Sequence, residues 1–437
     1  MSLVNEELKL SANKFYRFNG PCKITIKKGQ LEVLGKKFST NDSIIIKSGK
    51  ALPIYALETS TISFSGSPDS FCELNESVRN SWMKLLKRIL EIKQIKSQVR
   101  IIVIGKVDSG KTTLITWLIN KLYENLPDTK IGIIDMDMGQ GTITPPTTIG
   151  LGTAKDYIIN IESVELVRME FIGTTSPSGN LLRCYLGLSN LLRDASEYDF
   201  VIIDTTGWVN DSASRAYKTA KIRLINPDLI ININEIQNGN VILYPFLIPL
   251  SVIYEVFPIE KSRYVYPRDR NTRKNIRENA LAKYFLEAKP QKVNYSKIGL
   301  LHTRLGIGTP TDNEINEYIE QYIEANVLYS ELSSECLFAI INKDYKELDI
   351  DFNILRSKFN VCEIRFYNIE DINGIILALC DEKNVLGLGI LQKIDFHNKI
   401  MEIFTPLHHS EINKIKIIEF GALRIEKNGT ELGYLHL

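Results

Sequence analysis

Apolar and polar residues alternate in four short runs early in the chain: Lys23-Ile24-Thr25-Ile26-Lys27, Leu31-Glu32-Val33-Leu34, Ser43-Ile44-Ile45-Ile46-Lys47 and Thr61-Ile62-Ser63-Phe64. Gly20, Gly29, Gly35, Asn41-Asp42 and Gly66 punctuate them. A period of two broken by turn formers predicts short strands, arranged as a small sandwich or barrel over residues 1–75. The period then lengthens, and Val78, Trp82, Leu85, Leu86 and Ile89 share one helical face. Apolar runs follow at Val99-Arg100-Ile101-Ile102-Val103-Ile104, Ile131-Gly132-Ile133-Ile134, Phe200-Val201-Ile202-Ile203 and Leu229-Ile230-Ile231-Asn232-Ile233, with helical segments such as 111–122 and 181–192 between them. Buried strands alternating with helices predict a doubly wound parallel sheet. From about Pro290 the β pattern returns, with strands expected at 337–341, 361–367, 374–379, 387–391, 400–404 and 415–420 and one helix near 312–329. The apolar stretch 241–254 carries Pro245 and Pro249 and predicts buried strands and a bent loop. It is too short for a membrane span, which takes about 20 residues.

The first strand of the predicted sheet runs into Gly105-Lys106-Val107-Asp108-Ser109-Gly110-Lys111-Thr112, a G-x-x-x-x-G-K-[ST] P-loop placed between a strand and a helix as the motif requires. Its backbone N–H groups and the helix N-terminus suit phosphate. Lys111 is expected at the β/γ-phosphates and the Thr112 hydroxyl on Mg²⁺. Phe200-Val201-Ile202-Ile203-Asp204 reads as a Walker B-type strand whose carboxylate holds Mg²⁺ directly or through water. The expected fold is therefore α/β, with a central P-loop NTPase-type parallel sheet and flanking N-terminal and C-terminal β-rich domains, divided as 1–75, 76–289 and 290–437.

Composition narrows this further. The chain has 437 residues, 44% of them hydrophobic, with 53 basic and 52 acidic side chains and a net charge of +1. That is globular protein with no bulk attraction to nucleic acid or membrane, leaving room for a local basic patch. Residues 261–283 form such a patch, with eight basic and two acidic side chains. The six cysteines contain no C-x-x-C pair, which predicts reduced thiols of an intracellular protein and no zinc knuckle. Residues 1–10 lack an apolar core, so no secretory signal is expected.

All five histidines lie beyond residue 300, so a general base in the α/β region must be a carboxylate or another group. The best source is Ile134-Asp135-Met136-Asp137-Met138-Gly139-Gln140-Gly141, which leaves a predicted strand at the sheet edge where ligand sites form. The alternative is a polar turn. Gly173-Thr174-Thr175-Ser176-Pro177-Ser178-Gly179-Asn180 is a loop rich in hydroxyls. In Asp204-Thr205-Thr206-Gly207-Trp208, the indole suits either base stacking or the core. The basic run Arg268-Asp269-Arg270-Asn271-Thr272-Arg273-Lys274-Asn275-Ile276-Arg277 is either a solvated helix face or an arginine lid that clamps phosphate.

Together these motifs resemble the polynucleotide 5′-hydroxyl kinases, a family that includes the RNA-kinase subunit of the mRNA 3′-end cleavage machinery and ribosomal-RNA-processing relatives. The resemblance lies in the Walker A loop continued to Thr113, Asp137-Met138-Gly139-Gln140 as a D-x-x-Q element, Thr144-Pro145-Pro146 and Thr175-Ser176-Pro177 as a clasping loop. It extends to Thr205-Thr206-Gly207-Trp208 as T-x-G-W, the arginine-rich run, and Gly421-Ala422-Leu423-Arg424-Ile425 through Gly433. It implies transfer of the γ-phosphoryl of ATP to the 5′-hydroxyl of RNA, with DNA as a second acceptor. ATP would bind at Gly105, Lys106, Val107, Asp108, Ser109, Gly110, Lys111, Thr112 and Thr113. Asp137 would be the general base, Gln140 would orient phosphate or metal, Thr175 would hold substrate phosphate, and Trp208 would pack on the terminal nucleotide. Arg273 and Arg277 would contact the transferring phosphoryl, with Arg268 and Arg270 as further candidates. Many relatives carry Asn where Asp204 stands, so a metal role for Asp204 rests on the Walker B pattern alone.

Two other readings compete. One is an ATP-bound scaffold for RNA-processing factors, against which intact Lys111, Thr112 and Asp137 argue. The other is a GTPase-type switch, against which stands the lack of any Asn-Lys-x-Asp motif.

Overall fold

Alternation in the first run of strands becomes alternation of burial: Ser60–Gly66 presents every second residue to the interior, and Cys22–Lys28 does so over its first five positions. The computed structural model describes residues 4–74, 78–262, 265, 268–344 and 350–437. The side chain of Val78, Arg263 and the expected boundary at 75–76 lie outside the described residues. By its internal contacts the chain divides into two units. One comprises Met1–Asp137, Gly150–Val167 and Leu188–Arg268, the other Met138–Ile149, Arg168–Gly187 and Asp269–Leu437.

The first unit opens with two antiparallel sheets. Val4–Leu10, Ser60–Gly66, Cys22–Lys28 and Ser43–Ile46 form one; Lys36–Phe38, Leu31–Val33, Ala51–Ala56, Phe15–Asn19 and Phe71–Leu74 form the other. Phe18 of the second sheet packs on Phe64 of the first with ring centroids 5.8 Å apart, as a sandwich does. Helix Val78–Lys93 follows and buries Leu85, Leu86 and Ile89, the face its period predicted.

The α/β part is built on Ile131–Asp135, Phe200–Asp204, Val99–Gly105, Leu229–Asn234 and Val256–Glu260, side by side in that order and all parallel. Thr148–Ala154 runs antiparallel along Ile131–Asp135, so the sheet is parallel at its centre and mixed at one edge. The four apolar runs predicted as strands are all present, with helix Lys111–Asn125 after the P-loop. The stretch 241–254 differs from expectation. Apart from the two-residue strand Asn240–Val241 it forms a short helix, Leu247–Leu250, with Val252 and Ile253 left 87% and 75% exposed. Two prolines deny it the ladder N–H groups that a buried strand needs.

In the second unit, Lys289–Asn294, Ile400–Thr405, Val385–Asp395, Ile375–Cys380, Ile417–Ile425 and Gly299–Leu301 form one sheet, with Glu431–Tyr434 added to Ile417–Ile425. Thr309–Pro310, Val327–Leu332, Cys336–Ile341 and Glu363–Asn368 form a smaller one. The helix expected over 312–329 stops at Ile323, because Glu324 turns left-handed (φ 52°) and Val327–Leu332 pairs with Cys336–Ile341 instead. Helix Phe352–Phe359 was not anticipated. No helix among the described residues is long and apolar enough to cross a membrane, and all six cysteines are free.

Candidate functional site

Val103 and Asp135 both register with Asp204 across neighbouring parallel strands. The P-loop, the segment leading to Asp137, and Asp204 therefore leave one C-terminal sheet edge, where ligand sites of such sheets form. Asp108 (φ 54°) and Gly110 (φ 89°) bend the loop before the helix begins at Lys111. The buried Lys111 ammonium donates to the carbonyls of Gly105 and Lys106 at 3.2 and 3.0 Å. The Lys106 N–H donates to the Tyr244 hydroxyl at 3.0 Å.

Thr112 Oγ1 donates to Asp204 Oδ2 at 3.0 Å, while Asp204 Oδ1 is buried with no hydrogen-bond partner among the described residues. Burial raises the Asp204 carboxyl above the usual range; Lys111 pulls it down and Asp137 pushes it up again. A buried carboxylate oxygen without a donor, beside a threonine hydroxyl, fits a hard cation. No group of three or more His, Cys, Asp or Glu among the described residues could hold a metal.

The Asp137 N–H donates to Asp135 Oδ1 at 3.0 Å, and the Met136 N–H to the Asp204 carbonyl at 3.0 Å. Gly207 is glycine for a steric reason: a Cβ there would lie 2.3 Å from the Val107 nitrogen of the P-loop. Trp208 is half-buried, and its indole N–H donates to Asp211 Oδ2 at 2.6 Å. Asp211 also caps helix Ser212–Ile225 through the Ser214 N–H at 2.7 Å. From that helix the fully buried Lys218 ammonium donates to the Thr206 carbonyl. Arg268 grips Asp108, with its backbone N–H on one carboxylate oxygen at 2.8 Å and Nε on the other at 2.9 Å.

The second unit holds the remaining candidates. Asp269 caps helix Arg270–Tyr284 through the Thr272 N–H at 2.6 Å. Gln140 Nε2 donates to the Arg273 carbonyl of that helix at 3.2 Å. The Arg277 guanidinium meets both oxygens of Glu431 at 2.7 and 3.0 Å, and that contact holds its pKa above the ordinary value. Thr175 Oγ1 lies 2.6 Å from the Tyr434 hydroxyl. The loop that carries Thr175 is anchored at Gly173, whose carbonyl accepts the Ala422 N–H at 2.8 Å. A Cβ on Gly173 would stand 2.6 Å from Gly421 Cα, so both glycines permit this contact.

The structure thus brings Lys111, Thr112, Asp137 and Asp204 to one strand edge, Gln140 to Arg273, and Thr175 and Arg277 to one short strand. Arg270 is exposed on its helix. Asp108 as the partner of Arg268, Asp211, Lys218, Glu431 and Tyr434 were not singled out by sequence. Of these, Glu431 alone lay within the run ending at Gly433.

The family described as "mRNA cleavage and polyadenylation factor CLP1 P-loop" matches residues 105–287. A polyribonucleotide 5′-hydroxyl-kinase of Methanocaldococcus jannaschii is 34% identical over 352 residues, covering 79% of this chain and 92% of that protein. One of Pyrococcus furiosus is 30% identical over 353 residues, covering 80% and 93%. A Clp1p chain, solved in complex with Pcf11p, has the same fold at a TM-score of 0.66 and 14% identity, covering 96% of this chain and 98% of that one. With such identity along nearly the whole length of those archaeal relatives, the chain belongs to the polyribonucleotide 5′-hydroxyl-kinase family with a CLP1-type P-loop.

Proposed function

We propose that this kinase transfers the γ-phosphoryl of ATP to the 5′-hydroxyl of RNA, and less readily of DNA, inside the cell. The observation that carries the reading is the strand edge where Lys111, the Thr112–Asp204 pair and the segment bearing Asp137 emerge together. The P-loop from Gly105 to Thr113 cradles the phosphates, with Lys111 on the β/γ oxygens. Thr112 and Asp204 would hold Mg²⁺, which when bound would offset phosphate charge. Asp137 accepts the proton of the 5′-hydroxyl, and Gln140 orients phosphate. Thr175 and Trp208 hold the acceptor end, and Arg273 and Arg277 stabilise charge on the transferring group. The functional organisation follows 1–75, 76–289 and 290–437, with the kinase in the middle.

The test is label transfer from γ-labelled ATP to a short 5′-hydroxyl RNA and its DNA counterpart. Wild type should label RNA at its 5′ end; Lys111→Ala and Asp137→Ala should not. For Asp137→Ala a loss of about 10²–10⁴-fold is expected of a general base. A wild-type protein that binds ATP but labels neither polymer would overturn the proposal in favour of a nucleotide-bound scaffold.

A further inference from the structure

The short strand Glu431–Tyr434 joins the loop bearing Thr175 to helix Arg270–Tyr284. Glu431 holds Arg277 of helix Arg270–Tyr284, and its own N–H donates to Glu278 Oε1 at 2.9 Å. Three residues on, the Tyr434 hydroxyl meets Thr175 Oγ1 at 2.6 Å. Tyr434 is 53% exposed. Two hydroxyls in contact spend one hydrogen on each other, so one hydroxyl hydrogen remains for an outside acceptor. The hydroxyl with the free hydrogen can donate it to an anionic phosphate oxygen.

We propose that Tyr434 is a further acceptor-binding residue, and that its hydroxyl, with Thr175, receives a phosphodiester near the 5′ end of the RNA. The inference rests on the kinase reading above for the identity of the ligand. Backbone pairing fixes the residue: Tyr434 registers with Leu423, and the Leu435 N–H donates to the Ala422 carbonyl at 2.7 Å. The phenol is therefore held in place before the strand end arrives.

The test is Tyr434→Phe, which removes only the hydroxyl of an exposed side chain. Affinity for a fluorescent 5′-hydroxyl oligoribonucleotide, read by anisotropy, should fall about tenfold, the worth of one hydrogen bond to a charged group. The KM for RNA should rise in parallel while the KM for ATP and the melting temperature stay at wild-type values. Adding Thr175→Val should cost little more, because the two hydroxyls act as one unit. An oligonucleotide with a neutral methylphosphonate at its first linkages should bind wild type and Tyr434→Phe alike. RNA affinity within about twofold of wild type, or an equal rise in the ATP KM, would overturn the proposal. The anisotropy needs no turnover, so a wild type that bound RNA without labelling it would end the kinase reading and leave this one standing.

Discussion

Arg277 and Glu431 meet fork to fork, at 2.7 and 3.0 Å, with side-chain exposures of only 18% and 10%. The planar guanidinium is thereby fixed in one orientation, which a lysine ammonium cannot reproduce. Arg277→Lys keeps the charge and loses the fork. It should lower kcat by at least about tenfold and leave the KM for ATP nearly unchanged, since donors to the transferring group act on the transition state. Steady-state kinetics with RNA saturating checks this; a kcat equal to wild type would remove Arg277 from the catalytic set.

Asp204 gives a prediction that needs no turnover. Burial holds its folded carboxyl above its unfolded value, so the protonated form is the one the empty fold favours. A raised acid stabilises below its unfolded pKa, and that advantage is lost as pH rises through the folded pKa. Ionising Asp204 in the buried site therefore costs stability. Asp204→Asn should raise the melting temperature without ligands and shrink the rise on adding Mg²⁺ with ADP. Chelating Mg²⁺ should abolish transfer in wild type. Calorimetry with and without Mg²⁺ decides, and identical melting shifts in the two proteins would exclude Asp204 as a ligand.

A second buried pair lies away from the chemistry. Lys121 Nζ stands 2.9 Å from Glu32 Oε2, linking the P-loop helix to the first β sandwich, with exposures of 6% and 5%. Removing only the cation, as in Lys121→Met, should destabilise the protein by about 3–5 kcal/mol. Replacing both members with apolar residues of similar volume should restore most of the loss. Denaturant titration of the single and double variants measures both quantities.

His302 sets an acid limit. Burial, with help from Arg183, depresses its folded pKa from 6.5 to about 4. As pH falls below 6.5 the unfolded chain takes up the proton first, so stability declines until the folded imidazole also titrates near 4. His302→Gln should lessen the fall in melting temperature across that window and leave it unaltered above pH 7. A wild-type profile already flat between these values would show that the imidazole is not depressed.

Much of this was legible in the chain because it is local. A strand shows its period within five residues, and the P-loop carries its glycines, lysine and threonine within eight. Hence the N-terminal β strands, the parallel strands and the phosphate loop could be placed from sequence, and the family resemblance with them; that the first strands form a sandwich rather than a barrel could not. Prediction failed where pairing partners outweighed local pattern. The segment 312–329 has helical spacing throughout, yet Val327–Leu332 became a strand because Cys336–Ile341 offered it a ladder.

The candidate site divides in the same way. By itself the sequence determined the candidates for the chemistry: Lys111 and Thr112 by motif, Asp137 and Asp204 as carboxylates after apolar strands, and arginines in a basic run. Only the tertiary structure decided their partners. Thr112 reaches Asp204 across 92 positions, Arg277 reaches Glu431 across 154, and Thr175 reaches Tyr434 across 259. A hydrogen bond between side chains so far apart leaves no periodicity and no spacing in either segment, because strand register and loop anchoring, not neighbouring residues, bring its two ends together.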